Sequence, residues 1–292
     1  MKLPAPGMPG TLFVVATPIG NLEDVTLRAL RVFREVAVVA AEDTRRTGIL
    51  LRHYDIRTPL VSFHDHNEHG RTAVLIARLQ AGDSIALASD AGTPLVADPG
   101  FPLVRQALDA GIRVEAVPGP SALTAALSVS GLPVEGFTFL GFPPARAGER
   151  ARWFEARRAF PGTLVFFEVP HRIRATLAAA LDVLGDRFVV LARELTKMHE
   201  TTRRGWLSEV VTEPIEERGE YVVLLSDLTQ AAERADPETV HPFSLEQLAS
   251  RFGELTNNEG LSNRDAARQL AVETGLQRQE VYSKLRAAGL LG

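Results

Sequence analysis

Seven short segments carry the residue types that could do chemistry. Ala88-Ser89-Asp90-Ala91-Gly92-Thr93-Pro94, running on to Asp98-Pro99-Gly100, is an acidic loop of small residues. It stands between an apolar run, Ser84 to Leu87, and a helical pattern, Pro102 to Ala110, which is where open α/β sheets bind ligands. Thr17-Pro18-Ile19-Gly20-Asn21 is a second strand-end turn, and no G-x-G-x-x-G fingerprint accompanies it. Ala41-Glu42-Asp43-Thr44-Arg45-Arg46-Thr47 opens a helix. Asp43 or Thr44 suits the cap there, whereas two arginines in a first turn oppose the helix dipole, a conflict that a ligand phosphate would remove. Pro118-Gly119-Pro120-Ser121-Ala122 presents a helix N-terminus with free N–H groups. Phe166 to Arg172 and Arg193 to Lys197 end two further strands in acids and cations. Ser62 to His69, with His64, His66 and His69 beside Asp65 and Glu68, holds metal-ligand types. A divalent site needs convergent geometry as well as types, and the run suits substrate contact or polar loop surface, so no metal is assigned.

These segments need strands and helices to carry them. Thr11–Ala16, Val36–Ala40, Ser84–Leu87 and Val114–Val117 read as strands, alternating with helical periods at Leu27–Val36, Thr44–His53 and Arg71–Ala81. That alternation predicts a parallel α/β sheet. After Pro118-Gly119-Pro120 a second series begins. It has a small-residue helix to Ser130, strands at Phe137–Leu140, Thr163–Phe167 and Phe188–Ala192, and helices at Ala147–Arg158 and Arg172–Leu184. Trp206–Val211 and Tyr221–Leu225 are its expected last strands, and the longer loops predict a mixed sheet. Gln230–Thr239 reads as a linker. Beyond it, Leu245–Arg251, Asn263–Thr274 and Arg278–Ala287 read as helices, the last two separated by Gly275 in a helix-turn-helix-like pair. The expected domains are 1–118, 119–229 and 240–292.

Length and composition fit this organisation. The 292 residues are 45% hydrophobic and 23% charged, enough for two ordinary domains with a sizeable core. There is no cysteine, which excludes disulfides and thiolate zinc sites and suits a reducing compartment. No apolar run approaches the roughly 18 residues of a membrane span, and the Pro- and Gly-rich start has no signal-peptide pattern. The expectation is a cytoplasmic protein that does not enter membranes. The net charge of −4 hides asymmetry. Gly141–Gly205 has 12 Lys and Arg against 7 Asp and Glu, while Trp206–Val240 has 2 against 9. A polyanion would favour the first region. The C-terminal helices balance at 6 against 6, which argues against DNA reading and for packing or RNA docking.

Read in order, TPIGNLEDVTLRA, AEDTRRT, FHDHNE, SDAGTPLVADPG, PGPSA, FLGFPP, FEVPHR and RELTK resemble the tetrapyrrole-methylase superfamily, in its ribosomal small subunit methyltransferase I branch. The likeness covers roughly Thr11 to Ser226. It implies two α/β domains with an S-adenosylmethionine cleft between them, a small C-terminal helical domain, a homodimer, and 2′-O-methylation of a cytidine in 16S rRNA. Carried over by residue, the cofactor contacts are Pro18, Asp90, Ala91, Gly92, Thr93, Ser121, Ala122 and Phe167. Ala97 stands where the pattern has Ser. A ribose hydroxyl attacks only as its proton is withdrawn. Glu42, Asp43, Glu194 and His66 are candidate bases, with Lys197, Arg45 and Arg172 to position phosphates or steady an alkoxide. RNA contacts are expected from Arg45, Arg150, Arg157, Arg158 and Arg172, with Arg146 and Arg152 on the same basic face. Two other readings remain: methylation of a corrinoid or porphyrin precursor, and a nucleic-acid-binding regulator built on the last helices.

Overall fold

The structure, a computed structural model, describes residues 9–229, 245–258, 261–274 and 278–291. The chain forms two compact units, Met1–Asp227 and Leu228–Gly292.

The first unit holds two five-stranded sheets. In the first, β1 (Thr11–Val15), β2 (Val38–Ala41), β3 (Leu60–Ser62), β4 (Ile85–Ala88) and β5 (Arg113–Val117) lie in the order β3-β2-β4-β1-β5, every pairing parallel. The apolar runs VVAA and IALA are buried at every position, because helices cover both faces of a parallel sheet. Strand alternation then sorts the side chains. Phe13, Val15, Val39 and Ala86 pack with Phe33 of α1 (Leu27–Glu35), while Leu12, Val38, Ile85 and Leu87 pack with Leu75 of α3 (Glu68–Gln80) and Leu103 of α4 (Phe101–Asp109). The chain leaves β1 toward the β3 edge and leaves β4 toward the β5 edge. These two strands are neighbours, so their loops open a crevice between them, the switch point at which such sheets take ligands.

The second sheet is mixed, as its longer loops predicted. β6 (Phe137–Phe139), β7 (Thr163–Glu168), β8 (Arg187–Arg193), β9 (Thr201–Trp206) and β10 (Tyr221–Thr229) run in the order β6-β7-β10-β8-β9. β6 is parallel to β7, whereas β7 with β10 and β8 with β9 are antiparallel. α6 (Ala147–Glu155) and α7 (Pro170–Leu184) cover one face through Phe154, Ile173 and Leu177. On the other face Ala126 and Leu127 of α5 (Ala122–Ser130) pack with Val165, Val190, Leu224 and, from the first half, Ile19.

One expected strand is wrong. Trp206–Val211 is not extended: the strand is Thr201–Trp206, and Leu207–Val210 is a helical turn, α8. Leu207 and Val210 stand at helical spacing and are both buried, while polar TTRRGW makes a half-exposed edge strand. β3 was not anticipated, being three residues long after Pro59.

In the second unit, α9 (Leu245–Gly253), α10 (Asn263–Thr274) and α11 (Arg278–Ala287) share a core of Leu248, Phe252, Ala266, Leu270, Val281 and Leu285. The Ser262 hydroxyl caps α10 by accepting from the Asp265 N–H at 3.2 Å. The expected linker 230–239 and the Gly275 turn lie outside the described residues.

Candidate functional site

The loops after β1 and β4 meet as an isolated bridge. Thr17 N–H donates to the Gly92 carbonyl at 2.8 Å and Gly92 N–H returns to Thr17 at 3.0 Å. Gly92 takes φ +81 here, a conformation glycine adopts without strain. The Thr93 hydroxyl donates to the Pro120 carbonyl at 3.4 Å, joining this loop to the entry of α5. Ser121 stands at the N-cap of α5 without a side-chain cap, which leaves the first N–H groups of that helix available. Beyond Thr93 the chain turns through Leu95 (φ 73) and Ala97 (φ 68), two non-glycine residues in the left-handed region. Backbone strain of this kind is concentrated at ligand-binding loops.

An acidic ledge lies behind the loop. Asp90 N–H donates to Glu42 Oε2 at 3.2 Å, and Asp90 Oδ1 accepts from Asp43 N–H at 2.9 Å. Asp43 caps α2 (Thr44–His53), accepting from Arg45 N–H at 2.8 Å. It also pairs with the Arg45 guanidinium at 2.6 Å, and Arg46 faces Asp90 at 3.7 Å. These carboxylates answer both arginines of the first turn, so the sequence-level argument for a phosphate there falls away. Hydrogen bonds from Arg45 hold the Asp43 carboxyl down at about 2. Burial raises Glu42, helped by nearby Asp90 and Asp65 and opposed by the Asp90 N–H and Arg46. Burial and then Glu42 push Asp98 up to about 7, against a hydrogen bond from Ser89 and with Asp90 and Asp65 adding to the rise.

The second sheet contributes the opposite wall. Glu194 (φ 52) and Thr196 (φ 67) are again left-handed non-glycine residues. Glu194 Oε1 accepts from Lys197 Nζ at 2.8 Å and from Glu220 N–H at 2.9 Å, while Glu220 Oε2 takes a second Lys197 hydrogen bond at 2.9 Å. Burial would raise the Glu194 carboxyl, but the Lys197 and Glu220 hydrogen bonds outweigh it and the net shift is downward. Burial would lower the Lys197 ammonium, yet its two carboxylate partners hold it above its ordinary value. Two glycines make room for this group. A Cβ on Gly20 would lie 2.4 Å from Lys197 Cγ, and one on Gly219 would lie 2.5 Å from Glu194 Cγ. The Pro-Gly turn after β1 therefore rests directly on the Glu194–Lys197 loop. Below them Glu168 is fully buried, accepting from Val169 N–H at 2.8 Å and Thr176 Oγ1 at 2.5 Å, with Arg172 Nε at 3.3 Å.

A cavity of about 230 Å³ lies between the two walls. Ala91, Gly92, Thr93, Ser121, Ala122 and Phe167 of the expected cofactor set line it, together with Glu194 and Lys197. Phe167 makes edge contacts with Phe139 and Phe142, at centroid distances of 4.8 and 5.6 Å. Pro18, Asp90, Glu42 and Asp43 stand outside the lining: Pro18 follows the Thr17 bridge, and the three acids form the ledge. Sequence reasoning passed over Asp98, Glu168 and Glu220, all of which line the cavity. Asp98 lies within SDAGTPLVADPG, and Glu168 within FEVPHR, so both signals were present in the motifs.

The expected RNA arginines differ in what they can reach. The side chains of Arg45 and Arg146 are 88% and 85% exposed. Arg158 pairs with Glu155 at 2.7 Å, and Arg157 lies over the Trp153 ring at 4.5 Å while donating to its carbonyl. Arg150 is only 6% exposed and donates to Pro144 and Ala145 carbonyls. Arg172 is tied to the Pro143 carbonyl and Glu168. His64 N–H donates to Asn67 Oδ1 at 2.9 Å, the His64 and His66 rings are 5.9 Å apart, and neither lines the cavity. Among the described residues no group of three or more His, Asp or Glu side chains is placed to hold a metal ion, and no helix is long and apolar enough to cross a membrane.

Residues 11–211 match the family of tetrapyrrole (corrin/porphyrin) methylases. The chain is 54% identical over 222 residues to a ribosomal RNA small subunit methyltransferase I from Pseudomonas aeruginosa, covering 74% of this chain and 79% of that one. It is 44% identical over 276 residues to the protein of that name from Synechocystis, covering 94% and 96%. Among solved structures, a uroporphyrin-III C-methyltransferase from Thermus thermophilus, complexed with S-adenosylhomocysteine, aligns at TM-score 0.54 and 22% identity over 77% of this chain and 99% of that one. A diphthine synthase aligns at TM-score 0.60 and 16% identity, over 76% and 91%. At those identities the structural matches speak for the fold.

Proposed function

The chain belongs to the tetrapyrrole methylase family, in its ribosomal small subunit methyltransferase I branch, and from that premise we propose that it is an S-adenosylmethionine-dependent 2′-O-methyltransferase acting on a cytidine of 16S rRNA. One observation supports this reading above the others. A single cavity combines a glycine loop, an uncapped helix N-terminus, an aromatic wall and a clamped lysine. That donor set fits the cofactor. The free N–H groups at Ser121 and Ala122 suit its carboxylate, Gly92 lets the backbone approach, and Phe167, Leu195 and Val222 suit its flat base. Pro18 and Asp90 support this set from behind, through the Thr17–Gly92 bridge and the Asp43 hydrogen bond.

When bound, S-adenosylmethionine supplies an electrophilic methyl group carried on a sulfonium. The chain's own work is orientation and charge management. Lys197, held by Glu194 and Glu220, presents an ammonium to negative charge growing on the ribose oxygen. Its two partners fix it in place, so little reorganisation is left for the moment of reaction. Glu42 and Asp43 hold the Asp90 loop in register. Arg45, Arg146 and Arg158 offer phosphate contacts from the surface, while Arg150, Arg157 and Arg172 shape the face that carries them. The domains of this reading are 1–118, 119–229 and 240–292, and the protein is a cytoplasmic homodimer, which sedimentation equilibrium tests.

The function is tested by incubating the protein with unmodified small subunits and methyl-labelled cofactor, then mapping the RNA by mass. The expected product is one cytidine methylated on its ribose. Label that enters a porphyrin precursor and leaves RNA untouched would replace this reading with its tetrapyrrole alternative.

A further inference from the structure

Four carboxylates line the cavity: Asp98, Glu168, Glu194 and Glu220. Three of them are committed. Glu168 is fully buried with both oxygens bonded and Arg172 beside it. Glu194 and Glu220 share Lys197. A carboxylate paired with a cation is a weak base, because taking a proton forfeits the pair. Asp98 has no cationic partner among the described residues. Arg46, on the acidic ledge, faces Asp90.

We infer that Asp98 is the catalytic residue that takes the proton from the attacking ribose hydroxyl, an assignment that rests on the methyl-transfer reading above. Its backbone is fixed on both sides. Ala97 is left-handed at φ 68, and Pro99 restricts Asp98 itself to extended conformations. Asp98 thereby lines the cavity from a strained loop, where pre-set geometry counts most. The groups facing it are the Ser89 hydroxyl and Asp90 from the end of β4, Glu42 from the end of β2, and Asp65 from the loop after β3. Across the cavity stands the Glu194–Lys197–Glu220 cluster. Burial, and then three like charges, disfavour the ionised form and push Asp98 up to about 7, where a general base is most effective near neutral pH. In the step itself the hydroxyl proton passes to an Asp98 carboxylate oxygen. The ribose oxygen bonds to the methyl carbon as the carbon–sulfur bond breaks, and that electron pair stays on sulfur. The products are the methylated ribose, S-adenosylhomocysteine and a neutral Asp98 that returns its proton to water.

Asp98→Asn, Asp98→Glu and Glu42→Gln test this in the full-length protein, with single-turnover rates on small subunits, calorimetric cofactor affinity, and carboxyl carbon NMR of the free protein. Asp98→Asn is expected to slow transfer at least ~100-fold while keeping cofactor affinity within about 3-fold, and Asp98→Glu to recover part of the rate. The parent rate is expected to rise with pH through about 7, and the free protein to show a carboxyl titrating there that Asp98→Asn lacks. Glu42→Gln removes a neighbouring negative charge, so that limb moves to lower pH. The assignment is overturned by a parent-like rate in Asp98→Asn, by rate and cofactor affinity falling together, by a limb that survives in Asp98→Asn, or by an Asp98 carboxyl that titrates in the ordinary range. A parent that binds cofactor yet methylates no RNA overturns the substrate reading, and this assignment with it, and the parent's own inactivity marks that case apart.

Discussion

Replacing Gly219 by alanine puts the lysine clamp under direct strain. Gly219 sits at φ +88, and its added Cβ would lie 2.5, 2.6 and 2.7 Å from Cγ, Cδ and Oε1 of Glu194. The left-handed backbone alone costs an alanine about 1–2 kcal/mol. The collision cannot be relieved by the tip of the side chain, because Cγ is involved, so Glu194 must rotate away. It then gives up the hydrogen bonds from Lys197 and from Glu220 N–H. Bonds to a charged group contribute about 1.5–3 kcal/mol net, and water recovers part of that at this half-buried position. The expected loss is therefore about 3 kcal/mol, a lowering of the first unit's melting temperature by roughly 6–12 °C. Calorimetry in two backgrounds separates the contributions. With Glu194→Ala already present there is nothing to collide with, and Gly219→Ala should cost only about 1–2 kcal/mol, a coupling of about 1–2 kcal/mol. A loss below about 0.5 kcal/mol, or one equal in both backgrounds, would refute the reasoning.

Three further outcomes follow from the same structure. Asp98 holds its proton in the folded chain at pH values where the unfolded chain has released it, so its contribution to stability is complete below the ordinary 3.8 and is lost as pH rises through about 7. Urea midpoints from pH 4 to 8 should show that decline in the parent and a flatter profile in Asp98→Asn, and parallel profiles would contradict the shift. Asp90→Ala leaves the Asp43 N–H without its acceptor and frees the glycine loop; cofactor affinity should fall about tenfold or more with the fold intact, and an unchanged calorimetric constant would count against the ledge. Reversing Arg157 and Arg158 to glutamate should weaken RNA binding and reduce its salt slope by about 1–2 while sparing the cofactor; identical salt plots would remove that face from the RNA site.

The parallel sheet was legible because VVAA and IALA are short, wholly apolar runs between amphipathic helices, the pattern that strands buried on both faces give. The strand at β9 was not, because a half-exposed edge strand of sequence TTRRGW carries no apolar alternation, and the LSEV that follows it is a helical turn. At the site, motif order picked out loops that lie together in the fold, since Gly92, Ser121 and Phe167 all line one cavity. Which acid faces inward was not legible. Two left-handed turns at Leu95 and Ala97 set where Asp98 falls, and neither is a glycine whose presence would have signalled them. The arginines show the same limit: charge can be counted along a chain, but nothing in the sequence says that Arg150 turns inward to the Pro144 and Ala145 carbonyls while Arg146 points to solvent.

The most direct test is a crystal structure of the protein grown with S-adenosylmethionine at a concentration that calorimetry shows to be saturating. The ligand is expected in the 230 Å³ cavity, its carboxylate at the start of α5, its base against Phe167 and its methyl group open toward Asp98 and Lys197. A ligand seated elsewhere, or one whose methyl group is walled off from both residues, would contradict the account.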